Sequence, residues 1–344
     1  MLATRLRAQL LSGQPARDPV AVCAHLLAVQ AQDPRGARLA VRARTRGLTA
    51  AAVDRALTEH RSLIVTWVNR GTLHLIRRED YPWLHALTTP PLLTGNLKRL
   101  EQEGVTPEAA ERGVATIVAA LTDEGPLNRE ALRDRVEAAG VRTERQALVH
   151  QLMLATLRGH IVRGPMVDGR QAFVLARDWL GPPEAVDRDA ALAELARRYL
   201  VGHGPATERD LARWAGLPLR DARAGLSAIA GELIERPGGL VGLRGQRLAR
   251  KPPPPKLLGP FDPALLGWCA RDDMLAGHAE LVTINGIFKA FAMVDGRAAA
   301  TWRVPRGAVA IEPFAPLEPA VTRALEAEAR DVERFLAAGQ PSRA

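Results

Sequence analysis

The sequence predicts an α+β protein, mainly α, built from three tandem winged helix-turn-helix modules followed by a C-terminal β-barrel or antiparallel sheet. Two observations carry the first part. A grammar of helix, Gly-Pro, capped helix, turn, helix and hairpin runs from Thr106 to Leu180, and the same order returns from Arg188 to Arg244. A third observation carries the second part: beyond Lys251-Pro252-Pro253-Pro254-Pro255-Lys256 the pattern changes to apolar runs joined by Asn285-Gly286 and Asp295-Gly296, both tight-hairpin signals. With 344 residues and 47% hydrophobic content, the chain has ample material for two or three buried cores.

Taken in order, residues 1–100 form the first module. An apolar helical run from Val20 to Val29 stops at Gln30-Ala31-Gln32, because Pro34 disfavours the α conformation at Asp33. Helices follow at Pro34 to Arg44 and at Thr49 to His60, the second with Thr49 as its N-cap. Strands Leu63 to Val68 and Thr72 to Ile76 then flank Asn69-Arg70-Gly71, and the period-two rule puts Arg70 and His74 on one face.

The second module, residues 101–185, has helices at Pro107 to Leu121, Asn128 to Ala139 and Thr143 to Arg158. Asn128 caps the middle one and Gly140 closes it. A wing of Ile161 to Arg163 and Gln171 to Leu175 surrounds Gly164 to Gly169. In the third, residues 186–249, helices at Asp189 to Val201, Thr207 to Ala215 and Leu219 to Ile229 precede strands Leu233 to Arg236 and Leu240 to Leu243. The last stretch, 250–344, reads as strands Leu281 to Ile284, Ile287 to Val294 and Arg297 to Val304, closed by a helix from Pro319 to Ala338.

Charge narrows the partner. The net charge is +9, and all but four of the 47 basic residues are arginine, which favours a polyanion through counterion release. GC-rich coding also enriches Arg, Ala, Gly and Pro, so charge alone does not decide. Cys23 and Cys269 are too few and too distant for a disulfide framework, which fits a reducing cytosol. No apolar run is long enough to span a membrane, and the histidines are too scattered for a metal site. A phosphate-cradling glycine loop, GxSxG and CxxC are all absent from the sequence. The expected protein is a cytoplasmic, nucleoid-associated monomer without cofactor or metal.

The chemistry centres on Gln30 and Gln32. In a continuing helix these side chains would diverge, whereas an extended exit projects both to one side. Two carboxamides can grip a water together with a sugar or phosphate oxygen, yet neither can protonate a leaving group. Such a pair suits a substrate that already carries positive charge. The competing possibility is that the glutamines are solvated helix-end residues.

Several segments together resemble the winged-helix DNA glycosylases of the AlkZ and YcaQ type. They are Val29-Gln30-Ala31-Gln32, Arg70-Gly71-Thr72-Leu73-His74, Leu257-Leu258-Gly259-Pro260-Phe261-Asp262-Pro263, Leu265-Leu266-Gly267-Trp268, and Val294-Asp295-Gly296-Arg297 leading into Thr301-Trp302-Arg303. The resemblance implies three winged helices and a β-barrel arranged to receive duplex DNA. It also makes the Gln-apolar-Gln element catalytic, here Gln30 and Gln32, with Gln32 rather than an acid marking the AlkZ branch.

The resemblance further implies a monofunctional glycosylase for N7- or N3-alkylated purines, extending to interstrand crosslinks. Alkylation makes the base cationic, so the glycosidic bond breaks without prior protonation. Asp33 is expected to serve as a local helix-end acceptor rather than a base. Phosphate contacts are expected from Arg35, Arg38, Arg70 and Arg303, with His74 beside Arg70, and Trp67, Trp268 and Trp302 are expected to pack internally. The alternative is a winged-helix transcriptional regulator that binds DNA without catalysis, although three dissimilar modules in one chain do not supply the symmetry of a palindromic operator.

Overall fold

The computed structural model describes residues 1–337 apart from 168 and 184. The last residue of the expected terminal helix, Ala338, and Asp168 in the expected second wing lie outside the described residues. About half of the described chain is helical, and every strand pairing described below is antiparallel. By contact the chain forms two compact units, one from Met1–Val53 with Leu192–Ala344 and the other from Asp54–Ala191.

The chain opens with α1 (Leu2–Ala8) and α2 (Pro19–Leu26). Asp18 caps α2 by accepting from the Ala21 N–H at 2.7 Å, and Leu27 at φ +66° ends it. The expected helix to Val29 therefore stops three residues early, and Val29–Gln30 form a short strand, β1. A leucine at positive φ is costly, and apolar periodicity gives no sign of it. Next comes α3 (Pro34–Ala43), with Pro34 at its first turn, and then α4 (Ala50–Thr58).

In the second unit, β2 (Leu63–Val68) and β3 (Thr72–Arg77) make a hairpin in register from Leu63–Arg77 to Val68–Thr72. Helices α5 (Tyr81–Thr88), α6 (Pro90–Gln102), α7 (Pro107–Glu124), α8 (Arg129–Ala138) and α9 (Ala147–Leu157) follow. Asn128 caps α8 through the Ala131 N–H at 2.9 Å, as its position predicts. The next helix begins at Ala147 rather than Thr143; the Thr143 hydroxyl instead donates to Glu137. Strands β4 (Ile161–Val167) and β5 (Arg170–Leu175) pair with each other, and the sheet runs β3, β2, β4, β5 side by side. A short α10 (Ala176–Leu180) ends this stretch.

The chain returns to the first unit through α11 (Arg188–His203), α12 (Glu208–Ala215) and α13 (Leu219–Ala228). Thr207 and Asp210 form a reciprocal capping box on α12, and Gly216 closes it in the left-handed conformation. The hairpin β6 (Leu233–Arg236) with β7 (Leu240–Leu243) falls on its expected residues.

The C-terminal sheet departs from expectation in detail. Its strands, β8 (Lys256–Leu258), β9 (Phe291–Val294), β10 (Arg297–Arg303) and β11 (Ala310–Pro313), lie in the order β11, β10, β9, β8. The sheet alternative is what forms, and no sheet closes into a barrel among the described residues. Between them lie two one-turn helices, α14 (Pro263–Leu266) and α15 (Asp272–Leu275), and α16 (Pro319–Ala337) covers the sheet.

The expected strand Leu281 to Ile284 is not one. Asn285-Gly286 turns the chain, but the turn holds only a single bridge, Val282 to Phe288, and Ile284 stays fully exposed. The edge of β9 that this strand would have taken pairs with β8, brought back from the proline-rich stretch.

Alternation sorts this sheet's side chains into two cores. Leu257, Ala292, Ala300 and Trp302 join Leu39 of α3 and Leu325 and Val332 of α16, whereas Leu258, Phe291, Met293 and Ala298 join Leu6 and Leu11. Ala298 and Ala300 share parity yet face opposite cores because a bulge between them shifts the register. Trp67, Trp268 and Trp302 are all buried, as expected, and the Trp302 indole donates to the Leu258 carbonyl at 2.9 Å.

Candidate active site

The site begins where β1 gives way to α3. Asp33 has extended backbone, φ −101° and ψ 109°, and its carboxylate accepts from the Gly36 N–H at 2.8 Å. It is an N-cap, with one carboxylate oxygen bonded to the helix start. Immediately before it, Gln30 is buried, Ala31 is buried and Gln32 is exposed. The Gln30 Nε2 donates to Gln32 Oε1 at 2.8 Å, so the two carboxamides converge. The i, i+2 pair meets because the chain leaves β1 and is non-helical until α3 begins. Ala31 between them is buried as well, at 2% exposure.

The rest of the unit holds α3 still. Gly36 meets the Pro260 carbonyl so closely that an added Cβ would lie 2.5 Å from its oxygen, and a Cβ on Gly259 would lie 2.8 Å from that of Leu39. These two glycines let the helix and the Leu257–Pro263 segment touch backbone to backbone. At the far end of α3, Arg44 is completely buried and uses all five of its N–H donors. Two go to Asp262 at 2.8 and 3.0 Å, one to the Ala40 carbonyl, and two to the backbone and side-chain oxygens of Gln9. Gln9 in turn donates to the Gly202 carbonyl at 2.9 Å, and Asp262 caps α14.

In the last turn of α3, buried Arg42 pairs with Glu328 of α16, which also takes Lys256 Nζ at 3.1 Å and the Leu257 N–H at 3.2 Å. The motif that carried the resemblance around Leu257 to Trp268 is thus a brace for the helix that follows the glutamines.

The other expected residues divide. Arg35 is exposed and Arg38 half-buried, its guanidinium donating to the Pro34 carbonyl at 2.8 Å, so both sit in the first turns of α3 beside Gln32. Arg303 is exposed at the end of β10 and paired with Glu312 at 2.8 Å. Arg70 and His74 belong to the β2–β3 hairpin of the second unit. They are near neighbours, but Arg70 lies in the turn and His74 on the strand.

His74 requires a correction. It is 2% exposed, and burial, with the Arg70 charge second, pushes its pKa down to about 3. With that pKa the ring is neutral, its Nδ1 donating to the Thr72 carbonyl at 2.9 Å, and it is not a cation for phosphate. Alternation misled here because both faces of the hairpin are buried; all six residues of β2 are.

Asn69 was missed as a candidate. It sits at φ +56° in the hairpin turn, with both side-chain polar atoms buried and without a hydrogen-bond partner, as are the hydroxyl oxygens of Thr66 and Thr72. The available signal was Thr66, Asn69, Thr72 and His74 set among apolar strand residues. Buried polar groups of this kind are costly unless paired, so they mark the hairpin as more than packing.

Nothing among the described residues gathers three His, Cys, Asp or Glu side chains as a metal site would. The chain matches the family model described as DNA glycosylase AlkZ-like over residues 23–335. It belongs to that family. The interstrand DNA cross-link repair glycosylase of Streptomyces sahachiroi is 28% identical over 363 aligned positions, covering 97% of this chain and 95% of that protein. The solved structure of the S. sahachiroi DNA glycosylase AlkZ superposes with a TM-score of 0.78 at 27% identity, covering 97% of this chain and 95% of that one. Members of this AlkZ-like family are enzymes of N-glycosyl bond hydrolysis, and the transcriptional-regulator alternative is set aside.

Proposed function

We propose that this AlkZ-like protein is a monofunctional DNA glycosylase that hydrolyses the N-glycosidic bond of cationic N7- or N3-alkylated purines in duplex DNA. The same reading extends to interstrand crosslinks, the damage named for the S. sahachiroi relative. One observation carries it: the Gln30–Gln32 carboxamide contact at 2.8 Å, with the adjacent carboxylate of Asp33 tied to its own helix.

In this mechanism the two amides hold one water and the deoxyribose. The C1′–N9 bond breaks with its electron pair going to the alkylated base, whose positive charge is thereby cancelled. Water oxygen bonds to C1′ and releases its proton to solvent. Preorganised dipoles stabilise the oxocarbenium-like sugar, and no strong acid or base is required. Gln30, buried, is the anchor; Gln32, exposed, is the side that meets substrate. All four lysines, Lys98, Lys251, Lys256 and Lys289, lie far from the motif in sequence, so a Schiff base is not expected.

The helix-and-hairpin stretches at 1–100, 101–185 and 186–249 are read as winged-helix modules, with the sheet domain at 250–344. Arg35, Arg38, Arg70 and Arg303 are assigned to phosphates, and the protein acts as a monomer on nucleoid DNA in the cytoplasm. The test is release of an N7-alkylguanine from a duplex, read as abasic sites. Gln30→Ala or Gln32→Ala should each slow release by roughly 10²- to 10³-fold, the cost of losing one preorganised donor. Full activity in the double variant overturns the reading.

A further inference from the structure

Two arginines of the second unit have no ion-pair partner among the described residues. Arg163 of β4 stands directly opposite Phe173 of β5 and lays its guanidinium over that ring, 5.1 Å from the centroid. Leu127 bridges to the same Phe173 through backbone hydrogen bonds of 2.8 and 3.2 Å, which brings Arg129, two residues on and in the first turn of α8, to the same place. Gln171 lies two residues from Phe173 along β5 and shares its face.

The Nε of Arg129, the Nε of Arg163 and the amide Nε2 of Gln171 are all buried without a hydrogen-bond partner. Neither arginine has a carboxylate within ion-pair distance among the described residues. The nearest acid in sequence, Glu130, is taken by Arg170 at 3.3 Å, and Glu124 by Arg135 at 2.7 Å. The Arg129 charge and burial together depress the pKa of Arg163 to about 10, burial being the larger cause. Two like charges are thus held partly out of water, with no paired carboxylate among the described residues, and Arg129 stands at the positive end of a helix. Such an arrangement disfavours the empty protein and favours an anion.

We propose that Arg129, Arg163 and Gln171 form a phosphate-binding site, separate from the Gln30–Gln32 pair, that takes a backbone phosphate of duplex DNA. Guanidiniums match phosphate geometry through paired N–H bonds, and the Gln171 amide supplies a further neutral donor. That the phosphate comes from DNA rests on the reading above; that it is a phosphate does not.

The experiment uses the full chain and an undamaged duplex, so base release plays no part. Binding is followed by fluorescence anisotropy across a potassium chloride series for the wild type, Arg129→Met, Arg163→Met and the conservative Arg163→Lys. Thermal midpoints are taken in chloride and in inorganic phosphate at equal ionic strength. Each Met variant should weaken duplex binding several-fold at low salt and lower the slope of log K against log salt by about one. Arg163→Lys should keep most of the slope.

In chloride, the Met variants should melt at or above the wild type, because an uncompensated charge has been removed. A structural arginine would do the opposite. If wild type fails to bind duplex but its midpoint rises in inorganic phosphate, and the Met variants lose that rise, the site stands and the ligand is a free phosphate. Variants that melt lower with unchanged slope, and a wild type indifferent to phosphate, overturn the proposal.

Discussion

The Asp33 side chain tests how the site divides its labour. If it only caps α3, Asp33→Asn should keep both stability and base release near wild type, since asparagine caps as well. Asp33→Ala should cost about 1 kcal/mol in stability with the glutamine chemistry largely retained. Loss of turnover in the Asn variant, measured by abasic-site formation, would make Asp33 a general base instead. Arg44 poses the opposite case. Replacing it by Met leaves the fully buried Asp262 carboxylate unpaired, which should cost about 3–5 kcal/mol by urea denaturation. Adding Asp262→Leu should recover much of that loss, because a buried ion pair adds little over well-packed apolar groups.

Helix α3 is the part of the fold on which the glutamines depend. It starts two residues after Gln32, directly after its cap Asp33, and its position is set near its start at Gly36 and at its C-terminal end through Arg42 with Glu328 and through Arg44. Gly36→Ala places a methyl 2.5 Å from the Pro260 carbonyl, a backbone atom that cannot swing aside. The helix start must shift. We expect a stability loss of about 1–3 kcal/mol and a larger drop in kcat than in substrate affinity, seen in single-turnover base release against duplex binding. An alanine variant with wild-type turnover would mean that the glutamines do not rely on this brace.

Acid should loosen the protein through its buried histidines. His74, with a folded pKa of about 3, is held neutral in the fold, and half-buried His25 and His85 are shifted the same way chiefly by burial, while all three protonate in the unfolded chain near pH 6.5. Their contribution is complete above that value and is lost as pH falls below it. For His74 the loss is about 1.4 kcal/mol per pH unit between its two pKa values. Denaturation midpoints measured between pH 7 and pH 5 should therefore decline, and His74→Gln should flatten the decline by about one proton. An unchanged slope in that variant would contradict the neutral, buried histidine.

What could be read along the chain was whatever neighbours in sequence decide. Pro34 after Asp33 already implies the extended exit that makes Gln30 and Gln32 converge, and Thr207, Asp210 and Gly216 bound a helix by themselves. Pairings across long separations were illegible, because no local propensity records them. Arg44 finds Asp262 across 218 residues, and β8 arrives from the proline-rich stretch to take the edge of β9 that Leu281 to Ile284 seemed made for. Burial was equally hidden at His74, whose strand alternates as a half-exposed one would. Only when the hairpin was enclosed on both faces did a presumed phosphate contact become a neutral ring.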